Sequence, residues 1–327
     1  MIFSLILLLS LLLTTMNCSL EVPPVGSSGV YASYTNVLYE AHLTVNELQA
    51  NGTLNRILKL IGLDEQYMGP MVSSTIDKAN NILYVTGYAP DNAKDTSVFL
   101  HTIDLTTNTQ TAKILLSPKN EPEAFMMSQI QYDSTYGLIG LFTCWTSDGD
   151  LYSYLGIINI TSGSVNFYNK TFETTLYSFG YNEKNATLYF VTSSGQENTV
   201  IQFDLSLGAI VSTKSISKPW LITIANNALF VPGVDMLVVN DYNHFNVYLA
   251  IDIVSGDVKP LQSIFPMDSG VNAVTHTTTG QPNIVLSIIQ RSSDQLVTID
   301  FSKLDSNPII SSINMNTDIY INSLVSY

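Results

Sequence analysis

The sequence predicts an all-β fold assembled from repeated four-stranded antiparallel units, and three observations predict it. A short apolar, Asp or Asn, apolar pattern recurs about every 45 to 55 residues, the spacing of a supersecondary repeat. A second recurrent pair of apolar runs stands upstream of each copy. The runs are rich in Val, Ile, Tyr, Phe and Thr and are closed by Asn, Asp and Gly, the residues that strands and their turns require.

The first nineteen of the 327 residues are set apart from this pattern. Ile2 to Leu13 is an apolar run shorter than the roughly 20 residues of a transmembrane helix. Thr14, Thr15 and Asn17 follow, and Cys18 or Ser19 offers a small residue for cleavage. Residues 1–19 therefore read as a secretory signal peptide and 20–327 as a single domain. Asn17 argues against lipidation at Cys18, and the alternating polarity of residues 319–327 argues against a glycolipid tail. The expectation is a secreted, extracellular protein with no stable membrane anchor.

The units follow in order. Residues 29–62 hold about three strands, with a degenerate copy of the pattern at 43–52; Leu54, Ile57, Leu58 and Ile61 also fit a helical face, which leaves that stretch open. Unit two pairs runs 72–77 and 82–87 ahead of Thr102-Ile-Asp-Leu-Thr-Thr-Asn108. Unit three pairs 128–133 and 138–143 ahead of Ile157-Ile-Asn-Ile-Thr-Ser-Gly163. Unit four pairs 177–182 and 187–192 ahead of Gln202-Phe-Asp-Leu-Ser-Leu-Gly208. Unit five pairs 221–225 and 228–231, with Asn226 and Asn227 as the turn, ahead of Ala250-Ile-Asp-Ile-Val-Ser-Gly256. Unit six pairs 271–276 and 283–288 ahead of Thr298-Ile-Asp-Phe-Ser-Lys-Leu304. Each unit is four short strands, a to d, and the aligned Asp104, Asn159, Asp204, Asp252 and Asp300 open the c to d turn by bonding their own backbone. A lone run at 319–325 supplies one more strand, which would complete the N-terminal three and remove an open sheet edge.

Units of this size, none able to bury both faces alone, are the signature of propeller blades. The chain resembles the broad superfamily of β-propellers built from YVTN-type and PQQ-like repeats, whose blades carry an apolar-Asp-x-x-x-Gly turn, over most of residues 70–314. The resemblance matches no specific functional family and implies a fold without implying a function. Six blades closed by the C-terminal strand is the expected count, with five or seven as alternatives.

Composition narrows the partners. Lys and Arg number 13 against 27 Asp and Glu, a net charge of −14, so nucleic acid, which needs clustered basic residues, is excluded. Charged residues are only 12% of the chain against a usual quarter, as in many extracellular β surfaces. Beyond the leader Cys144 is the only cysteine, so no internal disulfide staples the fold, and a large core must stabilise it.

In a propeller the a to b and c to d turns share one face, here crowded with turn-forming Asp, Asn and Gly. The other face carries longer, irregular loops, and binding residues concentrate on such loops. Tyr67, Phe125, Trp145, Trp220, Tyr242 and Phe265 stand in or beside them, with Asp148, Asp150 and His244. Aromatic rings there stack on sugars or anchor protein interfaces, though rings that plug gaps between blades have the same composition. Four sequons, Asn51, Asn159, Asn169 and Asn185, fall on the turn face or the rim and leave the loop face bare.

No catalytic constellation is legible. His42, His101, His244 and His276 are scattered without metal spacing, and Cys144 beside Phe142 reads as a buried small residue. Asp77 and Asp133 occupy matching places, as a carboxylate pair of a glycosidase would, but turn geometry also explains them. Asp148-Gly-Asp150 offers oxygens of the kind calcium takes, yet it is too short for a complete loop site, and a hairpin turn accounts for it. No cofactor or metal is expected. Ser73, Thr75, Gln129, Gln131, Ser178, Thr223, Asn272 and Asn322 are expected to line a polar central funnel. The reading is a monomeric, non-enzymatic propeller that binds an extracellular protein or glycan through its loop face. A structural or matrix component, or a hydrolase or lyase with funnel carboxylates, are the alternatives.

Overall fold

The computed structural model describes residues 30–36, 40–49, 53–59, 73–92, 95–118, 124–145, 151–172, 176–194, 197–216, 225–241, 247–261, 270–276, 283–290, 295–306, 308–315 and 320–326. In chain order the strands are β1 (Val30–Asn36), β2 (Glu40–Leu48), β3 (Leu54–Lys59), β4 (Ser74–Asp77), β5 (Ile82–Asn92), β6 (Asp95–Asp104), β7 (Thr109–Leu115) and a two-residue β8 (Ser117–Pro118). They continue with β9 (Ala124–Asp133), β10 (Gly137–Trp145), β11 (Leu151–Ile158), β12 (Ser164–Phe172), β13 (Gly180–Asn182), β14 (Thr187–Ser194), β15 (Glu197–Asp204) and β16 (Ala209–Ser215). Last come β17 (Ala225–Val231), β18 (Met236–Asp241), β19 (Val247–Asp252), β20 (Val258–Pro260), β21 (Gly270–His276), β22 (Ile284–Gln290), β23 (Gln295–Asp300), β24 (Ile309–Asn314) and β25 (Tyr320–Ser326).

Among the described residues five sheets are each built from consecutive strands: β4 to β7, β9 to β12, β13 to β16, β17 to β20 and β21 to β24. These are five complete propeller blades of continuous chain. A further sheet is composite, in the order β25-β1-β2-β3, with β25 antiparallel to β1 from Val30 opposite Ser326 to Thr35 opposite Tyr320. The expectation of six like units is corrected to that extent: five are repeats in sequence, and the remaining sheet draws on both ends of the described chain. The innermost strands neighbour one another around the molecule, β4 against β9, β13 against β17, β17 against β21, and β25 against both β21 and β4. No helix among the described residues is long and apolar enough to cross a membrane.

Two expectations change. Residues 54–59 form strand β3, so the helical alternative for Leu54, Ile57 and Leu58 is set aside; Ile61 lies outside the described residues. In unit five, strand a is β17 itself, and the a to b turn falls at Pro232 to Asp235, where Asp235 takes a φ of 51°. Asn226 and Asn227 sit instead at a register shift within the β17–β18 pairing. Pro232, whose ring fixes φ at about −65°, opens this turn, and Asp235 rather than Gly233 supplies its positive φ.

The core lies between blades, since a sheet buries its faces only against another layer. Tyr84, Val98 and Leu100 pack with Met127, Ile130, Leu138, Phe142 and Ile158 of the following blade. Ile139, Leu141, Leu155 and Phe172 meet Phe179, Leu188, Phe190 and Phe203. Tyr189, Val191 and Val200 meet Phe230, Leu237 and Leu249, and Val238, Tyr248 and Ala250 meet Val285, Val297 and Phe301. Gly180 marks one close approach, because a Cβ there would lie 2.8 Å from the Phe230 backbone nitrogen of the next blade.

Candidate interaction surface

The turn face is the best-defined surface, and its chemistry is spent on holding the fold. The side-chain oxygen of Asp104 accepts from the backbone N–H of Thr106 at 2.7 Å and of Thr107 at 3.3 Å. Asn159 does the same with Thr161 and Ser162 at 2.9 and 3.0 Å, and Asp252 with Val254 and Ser255 at 2.8 and 2.9 Å. Asp204 accepts from Ser206 and Leu207 and also from the Ser206 hydroxyl at 2.6 Å. Asp300 takes the Ser302 N–H and hydroxyl, with Asn283 Nδ2 at 2.7 Å and Lys303 Nζ at 3.1 Å. The Ser302 hydroxyl, then Lys303 and Asn283, hold the Asp300 carboxyl down to about 2 against desolvation. Asn108, Gly163, Gly208 and Gly256 close the turns with positive φ, as the repeat pattern requires.

Asp77 and Asp133 are turn residues, and Asp133 is also a blade latch. Asp77 accepts from the Asn80 N–H at 3.2 Å and from Asn80 Nδ2 at 2.7 Å, and it stands near the Tyr132 phenol of the next blade, whose pKa it helps to raise. Asp133 accepts from Thr135 and Tyr136 N–H at 2.7 and 2.8 Å, while the Tyr181 hydroxyl of the next blade donates to its other oxygen. Burial first, and the carboxylate second, push the Tyr84 and Tyr132 phenols up to about 12 and the Tyr181 phenol higher still. Tyr84 stacks on Tyr132 at 5.7 Å and Tyr189 on Phe230 at 4.8 Å, the same seam contact repeated.

The expected funnel lining is corrected. Ser73, Thr75 and Ser178 are buried, and their hydroxyls accept backbone N–H groups of the neighbouring inner strand, from Ile130 at 3.0 Å, Tyr132 at 2.9 Å and Ala228 at 3.2 Å. Gln129 binds both backbone groups of Phe179, Oε1 accepting at 2.8 Å and Nε2 donating at 3.0 Å. An inner strand has no strand partner on its channel side, so its neighbour's free backbone groups need side chains to satisfy them. Gln131 is half-buried and donates to the Tyr132 carbonyl. Asn272 and Asn322 lie in β21 and β25, and Thr223 lies outside the described residues. These inter-blade bonds were the roles missed; the recurrence of polar residues at alternate strand a positions was the available signal.

Of the candidate binding residues, Phe125 and Trp145 are placed at one end of the second continuous blade. Trp145 pairs with Ala124 on one side and Leu151 on the other, and Phe125 pairs with Cys144. Tyr67, Asp148, Asp150, Trp220, Tyr242, His244 and Phe265 lie outside the described residues. Cys144 is buried. His101 is wholly buried in β6 with neither ring nitrogen in hydrogen-bond geometry, and burial, then the nearby Lys113 charge, lowers it to about 4 although Gln110 faces it. No three His, Cys, Asp or Glu side chains converge as metal ligands among the described residues. The sequons Asn159 and Asn185 are exposed at turns, Asn169 lies in β12, and Asn51 lies outside the described residues.

No family model and no curated protein sequence matches the chain. Solved structures do. TolB from Acinetobacter baumannii superposes with a TM-score of 0.59 at 12% identity, over 91% of this chain and 66% of its own, so the chain spans just under two thirds of that protein. A chain of the nidogen/laminin complex gives 0.55 at 13% identity over 91% and 98%. A TolB from Agrobacterium tumefaciens gives 0.51 at 10% identity over 91% and 94%. At such identities the likeness establishes the propeller fold.

Proposed function

We propose that this chain is an exported, non-enzymatic β-propeller that binds a protein partner through its loop-rich face. The observation that carries the reading is the state of the opposite face. There the recurrent Asp and Asn side chains are taken up by their own turns, and Asp77 and Asp133, the two acids matched for catalysis, are bound to turn amides and, at Asp133, to a tyrosine. Their carboxylate oxygens are thereby engaged in holding turns and seams. Recognition then falls to the loops between strands b and c and between blades, where the aromatic and acidic residues Phe125, Trp145, Asp148, Asp150, Trp220, Tyr242 and Phe265 concentrate.

In this reading the composite sheet of β25 and β1 to β3 serves as a sixth blade that closes the ring, and the apolar leader at residues 1–19 directs export. The superposable nidogen/laminin chain belongs to a protein assembly, which favours a protein over a glycan as the partner. The net charge of −14 favours a partner with a basic surface. The test is replacement of Trp145, Trp220 and Tyr242 by alanine, singly and together, with folding checked by circular dichroism. Binding is then measured against extracellular proteins and a glycan array. Loss of protein binding is expected, unchanged binding by the triple variant rejects the loop face, and binding confined to the array replaces protein with glycan.

A further inference from the structure

We infer that Asn159 is an N-glycosylation site whose sugar covers an apolar seam between the first two continuous blades, resting on the proposed export of the chain. The position is unlike its four counterparts in the repeat. Asp104, Asp204, Asp252 and Asp300 are carboxylates, whereas Asn159 carries an amide and has Thr161 two residues on. Its Oδ1 makes both turn bonds, and the backbone closes the turn from Gly163 N–H to the Asn159 carbonyl at 2.8 Å. The turn therefore needs only the oxygen. Attaching a sugar replaces one hydrogen on Nδ2 and leaves Oδ1 free to accept, so the modified residue keeps its place in the fold.

The residue after it is also unlike its counterparts. In the other four turns that residue donates its N–H to the a to b turn of its own blade, from Leu105 to Asn81, Leu205 to Ala186, Ile253 to Asp235 and Phe301 to Asn283. Among the described residues no such bond joins Ile160 to its blade, and while Leu105, Leu205 and Phe301 are buried, Ile160 is 42% exposed. The turn leans on the preceding blade so closely that a Cβ on Gly163 would collide with the Leu115 carbonyl, and Leu115 is itself 40% exposed. Ile160, next to Asn159 in the chain, and Leu115, whose carbonyl meets the turn at Gly163, are thus each partly in water on the two sides of this seam. An oligosaccharide rooted there shields them, which a bare exposed aliphatic pair would otherwise leave as a sticky contact.

The Asn185 sequon is built differently. Its side chain is engaged with the Tyr189 hydroxyl, and its threonine, Thr187, is buried with the hydroxyl donating to the Asn185 carbonyl at 3.2 Å. A sugar on Asn185 would stand beside that tyrosine, whereas among the described residues no hydrogen bond involves the Asn159 Nδ2. In the reaction the Asn159 Nδ2 bonds to the anomeric carbon of an oligosaccharide carried on a lipid pyrophosphate. The bond from that carbon to the phosphate oxygen breaks, the lipid pyrophosphate leaves with the electron pair, and the amide gives up one proton.

The experiment is expression of the full chain in a eukaryotic secretory host, under its own leader and in parallel under an unrelated signal peptide, with site occupancy read by mass spectrometry of enzymatically deglycosylated peptides. Asn159→Asp, which restores the residue type of the other turns, and Thr161→Ala, which spares the asparagine, are each expected to lose one glycan and keep the wild-type circular dichroism. Both are expected to bind more of an apolar-surface dye than the glycosylated protein. Sugar at other sequons with Asn159 bare overturns the inference, and so does dye binding unchanged by loss of the Asn159 glycan. If only the borrowed signal peptide gives export, and Asn159 is then occupied, the export reading fails while the site stands.

Discussion

The Tyr181 hydroxyl donates to the Asp133 carboxylate across the seam between two blades, and that carboxylate also receives the Thr135 and Tyr136 N–H groups of its own turn. One buried acid thereby fixes a hairpin and its neighbour together. Tyr181→Phe leaves a buried carboxylate oxygen short of a donor and should cost about 2 kcal/mol, the usual worth of a hydrogen bond to a charged group. Equilibrium urea unfolding measures it. Asp133→Asn keeps the turn acceptor and leaves an amide beside the Tyr181 hydroxyl, so its loss should be smaller; a Tyr181→Phe variant as stable as the parent would refute the latch.

His101 makes stability depend on pH. Burial lowers its pKa from about 6.5 in the unfolded chain to about 4 in the fold. The folded state therefore holds fewer protons than the unfolded state between those values. Stability is full above pH 6.5, falls as pH drops toward 4, and levels below that, for a total of about 3 kcal/mol at 1.36 kcal/mol per unit. His101→Leu should remove this part of the slope. A wild-type and variant pair with parallel unfolding midpoints between pH 7 and 4 would refute the assignment.

Two glycines with positive φ separate backbone strain from packing. Gly137, at φ 81°, has nothing within 4 Å of the place a Cβ would take, so Gly137→Ala should cost only the left-handed penalty of about 1 to 2 kcal/mol. Gly163, at φ 72°, would drive the same methyl into the Leu115 carbonyl of the adjacent blade. Its alanine variant should lose clearly more, and thermal unfolding of the two proteins side by side ranks them.

Gln129 spans two blades through the backbone of Phe179. Gln129→Glu retains an acceptor for the Phe179 N–H but loses the donor to its carbonyl and introduces a charge, so it should destabilise by about 1 to 3 kcal/mol. Hydrogen exchange at the Phe179 amide should rise first in Gln129→Ala. Protection unchanged there would show that the side chain does not staple the inner strands.

The turn residues were legible because their chemistry is local: an Asx oxygen reaching two residues along the chain needs no other blade. The same locality misled unit five, where Asn226 and Asn227 look like a turn and Pro232 to Asp235 is the turn. There the choice rests on register, which seats Phe230 against Tyr189 and Val231 in the next seam's core. Ser73, Thr75 and Gln129 were recognisable as inner-strand polar residues, but not as donors and acceptors for a neighbour, because the neighbour lies 50 to 57 residues away.

By itself the sequence determined the all-β repeat, the Asx turns between strands c and d and the positions of the sequons, since all of these are written within a few residues. The pairing of β25 with β1 was expected from the sequence and is present; only the tertiary structure decided that Asp133 latches adjacent blades and that Ile160 is left in water while Leu105, Leu205 and Phe301 are buried. The physical reason is that a blade is incomplete alone. Its faces and free inner-strand groups are satisfied by the next blade, and that pairing is a property of two adjacent blades together, which no single repeat contains.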